Sequence, residues 1–351
     1  MNRTFVALSL SLLVGAAEPA LAAVSAQKVE RVADKVVVSW SDGAPVDVYV
    51  ADRPDAGLAG AKLVSKADAD GRFETSAPGR VYFLLKDRAD GRTTEVAERV
   101  VPLAQGSNFR DLGGYQGAGG KHVRWGKIYR SGGTPLLTPE DQAMVRGLGL
   151  QTMIDLRSSE ERVLAPSKIE GVRYQAVGYS MLTMMGGRTS FGGDENMRAS
   201  YRTFPVILAP QLRIVFSELL SGRGPVAYNC SAGQDRTGFA TAMVLLALGA
   251  PRETVFADYH LTTAARRPEY EMPKLDKTLA SRDPVAGLFA GYQDDPRAAK
   301  PQPLFDSEHH AWLEFALAEV DGRWGSVENY LDKELGVGAP ELSKLRALYL
   351  E

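Results

Sequence analysis

The first pattern along the chain is an unbroken apolar run at residues 5–17 (FVALSLSLLVGAA), preceded by Arg3 and followed by Ala20-Leu21-Ala22. A run of this length is short for a bilayer span, and a positive residue ahead of it with small residues behind it predicts a secretory signal over residues 1–22. Cleavage then leaves a mature chain starting at Ala23. No Cys follows the run, which argues against lipid attachment there. No later stretch reaches the length of a membrane span, so no span is expected in the mature chain, which should be soluble and periplasmic or secreted.

The pattern then changes to short β-rich segments, one β-branched at 35–40 and one alternating at period two at 46–50. Residues 35–40 (KVVVSW), 46–50 (VDVYV), 80–85 (RVYFLL) and 93–101 read as strands, with turn clusters at 41–43, 68–71, 77–79 and 90–91. Short strands at this spacing predict a small β-sandwich over 27–101, similar in pattern to a fibronectin type III module, with Trp40 as its core aromatic. No chemistry is assigned to it. Residues 102–107 (PLAQGS) read as a linker.

From residue 107 the rhythm becomes that of alternating strands and helices. A helix is predicted over 138–148, with Thr138 as N-cap, Pro139 at its first position and Gly149 just past its end. Strands are expected at 150–156, 172–177 and 225–229. Helical spacing over 197–220 is interrupted by Pro205 and Pro210. Residues 237–248 (TGFATAMVLLAL) are apolar on nearly every face, which marks a buried helix. Further helices are expected near 252–263, 308–320, 326–335 and 340–350. The predicted fold is α/β, a mainly parallel sheet flanked by helices over 107–351, preceded by the all-β module.

Composition narrows the function. The 351 residues are 44% hydrophobic and 24% charged, with a net charge of -2. No basic excess exists to displace counterions, which argues against a nucleic-acid partner. A single Cys, Cys230, excludes an intrachain disulfide and any zinc site built on several thiolates. His122, His260, His309 and His310 show no ligating spacing, so neither metal nor cofactor is expected.

Cys230 stands in Cys230-Ser231-Ala232-Gly233-Gln234-Asp235-Arg236-Thr237-Gly238, between the apolar strand and the apolar helix. At average composition a chance match to C-x-x-G-x-x-R-T-G in a chain of this length is on the order of 1 in 10,000. Backbone N–H groups of such a loop, with a helix N-terminus behind them, form an anion site at the carboxyl end of a parallel sheet. The residue types suit hydrolysis of a phosphate monoester. A free thiol is mostly protonated near neutral pH, and loop amides, a helix end and a guanidinium all favour the thiolate nucleophile. Arg236 can hold two phosphate oxygens and stabilise transition-state charge. Ser231, Ala232, Gly233 and Gln234 line the cradle, and the Thr237 hydroxyl can reach the sulfur. Asp235 is the nearest carboxylic acid for protonating the leaving group. Against this stand the ordinary readings of Cys230 as a core residue and of Asp235 as a helix cap or partner of Arg236.

The loop resembles the signature of cysteine-dependent phosphatases, and the chain is similar to the bacterial tyrosine-specific protein phosphatase group. Supporting blocks are Asn108-Phe109-Arg110-Asp111-Leu112-Gly113-Gly114-Tyr115, then Tyr129-Arg130-Ser131, and Asp155-Leu156-Arg157-Ser158-Ser159-Glu160-Glu161. A weaker match runs from Trp324 to Glu328, with Tyr330-Leu331. The resemblance covers about 107–351 and implies Cys230 as nucleophile, Arg236 as phosphate clamp and Asp235 as general acid. It departs twice. The family usually has His before the Cys, where this chain has Asn229. It often has Lys where Gln234 stands, a charge suited to polyanionic head groups.

The expected function is that of an exported phosphatase acting on phosphotyrosine or related phosphate monoesters, in a phosphorylated protein or a small molecule, through a cysteinyl-phosphate intermediate. Phosphoinositide or inositol phosphate hydrolysis, a silent phosphate-binding protein and rhodanese-like sulfur transfer are the alternatives. Arg110, Asp111, Arg130, Asp155 and Arg157 either orient the loop or form structural ion pairs, and Asp155 is the second candidate for the acid. Residues 179–193, rich in Met and Gly, suit a lid over the pocket or a mobile surface loop.

Overall fold

The computed structural model describes residues 25–41, 45–167, 169–186 and 192–351. The expected signal at 1–22 lies outside them.

Seven strands come first: β1 (Ser25–Val32), β2 (Lys35–Ser41), β3 (Val46–Ala51), β4 (Lys62–Asp68), β5 (Arg72–Ser76), β6 (Tyr82–Asp87) and β7 (Thr93–Ala97). They form two antiparallel sheets, in the orders β1-β2-β5 and β4-β3-β6-β7. Alternation explains the packing. Val36, Val38 and Trp40 from the first sheet meet Val46, Val48, Phe83, Leu85 and Val96 from the second in one apolar core. Trp40 is thus a core aromatic. The composition of β6 is apolar at successive positions because both faces are buried: Tyr82 and Leu84, on the opposite face, pack with Ala51, Ala97 and Trp125.

Trp125 belongs to the second part of the chain, so the sandwich is fused to it through a shared apolar contact. A buried ion pair reinforces the junction. Arg80 Nη2 lies 2.7 Å from Asp111 Oδ2, and Arg80 Nη1 donates to the hydroxyls of Tyr82 and Tyr129 at 2.6 and 2.9 Å.

The second part is built on a five-stranded sheet containing β8 (Arg110–Asp111), β9 (Ile128–Ser131), β10 (Thr152–Asp155), β11 (Arg173–Ala176) and β12 (Val226–Asn229). Their order is β11-β10-β12-β9-β8, parallel except for the antiparallel edge pair β8–β9. Strand β12 is therefore central, flanked by β10 and β9. Asp155, Asn229 and Ser131 end these three strands in one register. The connection from β9 to β10 skips the place taken by β12, which makes the carboxyl end of β12 a crevice between crossovers of different direction.

Helices cover the sheet: α1 (Pro139–Gly147), α2 (Ser159–Leu164), α3 (Met181–Met185), α4 (Asp194–Ile207), α5 (Ala209–Ser221), α6 (Asp235–Ala247), α7 (Arg252–His260), α8 (Thr262–Ala265), α9 (Lys277–Ala280), α10 (Pro284–Asp294), α11 (Trp312–Trp324), α12 (Val327–Leu335) and α13 (Ala339–Tyr349). Thr138 caps α1 as expected, in a reciprocal bond pair with Asp141. The helical stretch near 197–220 breaks once, at Leu208. Pro210 stands in the first turn of the second helix, while Pro205 is accommodated inside the first. Helix α6 buries residues on every side, which accounts for its apolar sequence. Among the described residues no single helix is long and apolar enough to cross a membrane. The bent pair α4–α5 passes on composition, but its Tyr201, Phe204, Leu212 and Phe216 are part of the main core.

Candidate active site

The loop of residues 230–234 joins β12 to α6, so its backbone sits at the carboxyl end of the central strand and the amino end of a thirteen-residue helix. Gly233 makes the tight turn, at φ +64°, and a Cβ there would lie 2.5 Å from backbone atoms of Ser131 and Gly132. No residue with a side chain fits without moving the loop.

The loop carbonyls are bonded from behind. Asn229 Nδ2 donates to Cys230 O at 3.2 Å, and Gly133 N to Ser231 O at 2.8 Å. Asn108 Nδ2 donates to Ala232 O and Gly233 O at 3.0 and 2.8 Å, and Arg130 Nη2 to Gly233 O at 2.6 Å. Among the described residues nothing accepts from the N–H groups of residues 231–236, which leaves a row of unused donors.

Cys230 is only 1% exposed and belongs to the main apolar cluster. Burial alone would suit a core cysteine. Its polar surroundings do not, because Arg236 and the Tyr179 hydroxyl both lie close enough to feel a charge on that sulfur. Arg236 is held by Glu161 through Nη1–Oε2 at 2.6 Å and Nη2–Oε1 at 2.7 Å, and Nη1 also donates to Tyr179 at 2.8 Å. These bonds use three of the five guanidinium hydrogens. The Nε hydrogen and one on Nη2 are left, and they form one edge of the fork, the geometry that holds two oxygens of a phosphate. Burial pushes the Glu161 carboxyl up. The Arg236 charge and bonds from Arg236, Ser231 and the Ser158 N–H outweigh this and hold it at about 2.

Residues 101–351, more than two-thirds of the chain, match the sequence profile of the tyrosine phosphatase family. The chain belongs to that family and is a phosphatase. A tyrosine-protein phosphatase of Cupriavidus necator is 32% identical over 260 residues, covering 70% of this chain and 86% of that one. The triple specificity protein phosphatase PtpB of Mycobacterium tuberculosis is 27% identical over 281 residues, covering 69% and 96%. A tyrosine-protein phosphatase of Nostoc commune is 27% identical over 220 residues, covering 60% and 69%.

The structure of this phosphatase brings Cys230, Ser231, Ala232, Gly233, Gln234, Asp235, Arg236 and Thr237 together, as one loop and helix start must. Their partners differ from expectation in places. Ser231 Oγ donates to Glu161 Oε1 at 2.6 Å, so it braces the carboxylate that holds Arg236. The Thr237 hydroxyl is buried without a hydrogen-bond partner, so the expected bond to the sulfur is not made. Asp235 is not paired with Arg236. Its Oδ1 accepts from Gln234 Nε2 at 3.0 Å and from the Tyr201 hydroxyl at 2.5 Å.

Asp155, the second candidate acid, is fully buried and closed in. Both its oxygens accept from Arg157, and Oδ2 accepts from the Tyr174 hydroxyl at 2.7 Å. It and Arg157 form the structural pair at the end of β10. Arg110 and Arg130 share Asp258 of α7 as counter-charge, and Asp111 pairs with Arg80. Arg130 is the one of these five that reaches the loop directly. The Met-rich stretch is not a free lid over its described part: Met181, Met184 and Met185 are buried in the core. Residues 187–191 lie outside the described residues.

Glu161, Tyr179, Asn108, Asp258, Tyr201 and Arg266 were not singled out as site residues from sequence. Only Glu161 carried a signal. Ser158-x-x-Glu161 is a capping box, and the Ser158 N–H does use one of its oxygens. That role hid its bond to Arg236. The structure also gathers Asp306, Glu308 and His310 within 4.8 Å, which the spacing of His residues had not suggested. Arg198 supplies their counter-charge.

Proposed function

We propose that this chain is an exported phosphatase that hydrolyses phosphotyrosine and related monoesters through a cysteinyl-phosphate on Cys230. The observation that carries the reading is the loop itself. Its carbonyls are engaged from behind, its N–H groups have no acceptor among the described residues, and it carries the chain's one Cys together with a guanidinium that has an open edge. In the first step Cys230 Sγ attacks phosphorus. The S–P bond forms as the ester P–O bond breaks, and the electron pair leaves with the oxygen, which takes a proton from Asp235. In the second step water attacks phosphorus, Asp235 receives its proton, and the thiolate and inorganic phosphate are released. The loop amides, the start of α6 and Arg236 supply the field that stabilises charge on the phosphoryl oxygens.

Cys230→Ser tests the reading. It should abolish turnover of p-nitrophenyl phosphate while the folded chain still binds inorganic phosphate, and acid quenching of the wild type should trap phosphate on Cys230. Turnover by the serine variant above a few per cent would contradict the nucleophile. Phosphate binding without turnover by the wild type would identify a silent binder.

The triple specificity in the name of the Mycobacterium tuberculosis relative supports testing more than one substrate class, and a panel of phosphotyrosine, phosphoserine and phosphothreonine peptides with phosphoinositides does so. Export rests on Arg3, the apolar run at 5–17 and Ala20-Leu21-Ala22. Protein recovered outside the inner membrane should begin at Ala23; an N-terminus at Met1 would contradict processing.

A further inference from the structure

We propose that Tyr201, backed by Tyr259, is a positioning residue that fixes which oxygen of Asp235 carries the proton given to the leaving group. The inference rests on the proposed role of Asp235 as general acid and assigns the hydrogen bonds that orient it.

Donor and acceptor identities can be read from the partners. Arg266 Nη1 lies 3.1 Å from Gln234 Oε1, and a guanidinium only donates, so that amide oxygen must face it. Gln234 Nε2 is thereby turned to Asp235 Oδ1 as a donor. On the other side, Tyr201 OH is 2.5 Å from the same Oδ1 and 2.6 Å from Tyr259 OH. Among the described residues Tyr259 OH has no other partner. Both hydroxyl hydrogens find acceptors in only one arrangement: Tyr259 donates to Tyr201, and Tyr201 donates to Asp235.

Two donors therefore converge on Oδ1, while Oδ2 receives none among the described residues. A proton placed on Oδ1 would displace the bond from Tyr201 and leave a buried hydroxyl hydrogen unsatisfied. The proton belongs on Oδ2. Burial, and then the Asp235 charge, push the Tyr201 hydroxyl well above its usual range, so it stays protonated and donates at any working pH. Helix α4 carries Tyr201 and helix α7 carries Tyr259, so the acid is oriented by two elements outside its own loop. As the P–O bond breaks, the Oδ2 proton passes to the leaving oxygen, and the carboxylate that remains keeps both Oδ1 bonds.

The test compares leaving groups on the full mature chain. Tyr201→Phe should lower kcat for phenyl phosphate about tenfold, the loss of one hydrogen bond to a charged group. It should change kcat for 2,4-dinitrophenyl phosphate, whose leaving group needs no proton, by less than twofold, with KM unchanged for both. Because Tyr201→Phe strands the Tyr259 hydroxyl, Tyr201→Phe with Tyr259→Phe is the second variant, and it should show the same selective loss. Equal losses on both substrates, or none on either, would overturn the proposal. Asp235→Asn separates the two levels. If it is selective for phenyl phosphate and the tyrosine variants are not, the acid stands and the positioning role falls. If Asp235→Asn is itself unselective, the acid assignment falls and the positioning role with it.

Discussion

Replacing Glu161 by Gln removes one charge behind the loop while keeping the size of the side chain and one acceptor oxygen. Burial acts to raise this carboxyl above its ordinary 4.5, but Arg236 and the bonds from Ser231 and the Ser158 N–H bring it to about 2. Because the folded value lies below the unfolded one, the contribution is fully present above pH 4.5 and is lost as pH falls toward 2. The gap corresponds to about 3 kcal/mol at roughly 1.36 kcal/mol per pKa unit. Removing one member of a buried ion pair costs about 3–5 kcal/mol, the same size by an independent route. Urea unfolding at pH 7 should therefore show Glu161→Gln less stable than wild type by about 3 kcal/mol. The difference should shrink to roughly 1.4 kcal/mol by pH 3. Turnover of p-nitrophenyl phosphate should fall as well, since the guanidinium loses the anion that aims it. A stability loss below about 1 kcal/mol, or one equal at pH 3 and pH 7, would show that other contacts hold Arg236.

Three further outcomes are expected. Gly233→Ala places a Cβ 2.5 Å from backbone atoms of Ser131 and Gly132, so the loop must shift. Its kcat/KM should fall about 100-fold, and a change under twofold would mean the loop tolerates the displacement. Asn108→Ala releases the carbonyls of Ala232 and Gly233. Phosphate binding should weaken about tenfold, measured as the inhibition constant of inorganic phosphate, and an unchanged constant would contradict the bracing role. Arg80→Met leaves Asp111 buried without its partner and should cost about 3–5 kcal/mol in calorimetric unfolding. A loss under about 1 kcal/mol would show that the junction does not depend on this pair.

The features legible in the sequence were those set by local rules. Period-two alternation marked β3, β-branched and apolar runs marked β2 and β6, and the all-apolar stretch marked α6, because one face or every face of each must be buried. The strands β4 and β5 are largely exposed, with burial patterns lacking a buried residue, so no alternation signalled them. Short β8 and β9 owe their form to pairing with the sheet and to buried Arg side chains, which read as polar. The 230–236 loop stood out because a Cys, a Gly and an Arg at this fixed spacing, between an apolar strand and an apolar helix, suit an anion cradle, the arrangement on which the proposed function rests. Its supports did not. Glu161 lies 75 residues from Arg236, and Asn108 lies 125 residues from Gly233. Nothing in a single sequence relates such positions, and each polar residue had an adequate local explanation as a cap or a surface charge.

The block beginning at Asn108 then takes on a physical meaning. An anion cradle needs its carbonyls turned away from the ligand, and a short loop cannot enforce this by itself. Asn108 adopts φ +57°, a conformation that Asn tolerates better than most residues, and so presents its side chain to the loop. Its Oδ1 accepts from Arg110, which fixes the amide so that Nδ2 faces Ala232 O and Gly233 O. Arg110 and Arg130 are neighbours across β8–β9, and both close on Asp258, whose carboxylate is held well below the usual range by these two guanidinium groups against the opposing effect of burial. The next residues along each strand, Asp111 and Tyr129, point the other way and close on Arg80 of the sandwich. Alternation along these two short paired strands thus ties the 230–236 loop on one face to the N-terminal module on the other. The module acts as part of the scaffold that holds the loop carbonyls back, and a perturbation at Arg80 should reach phosphate affinity as well as stability.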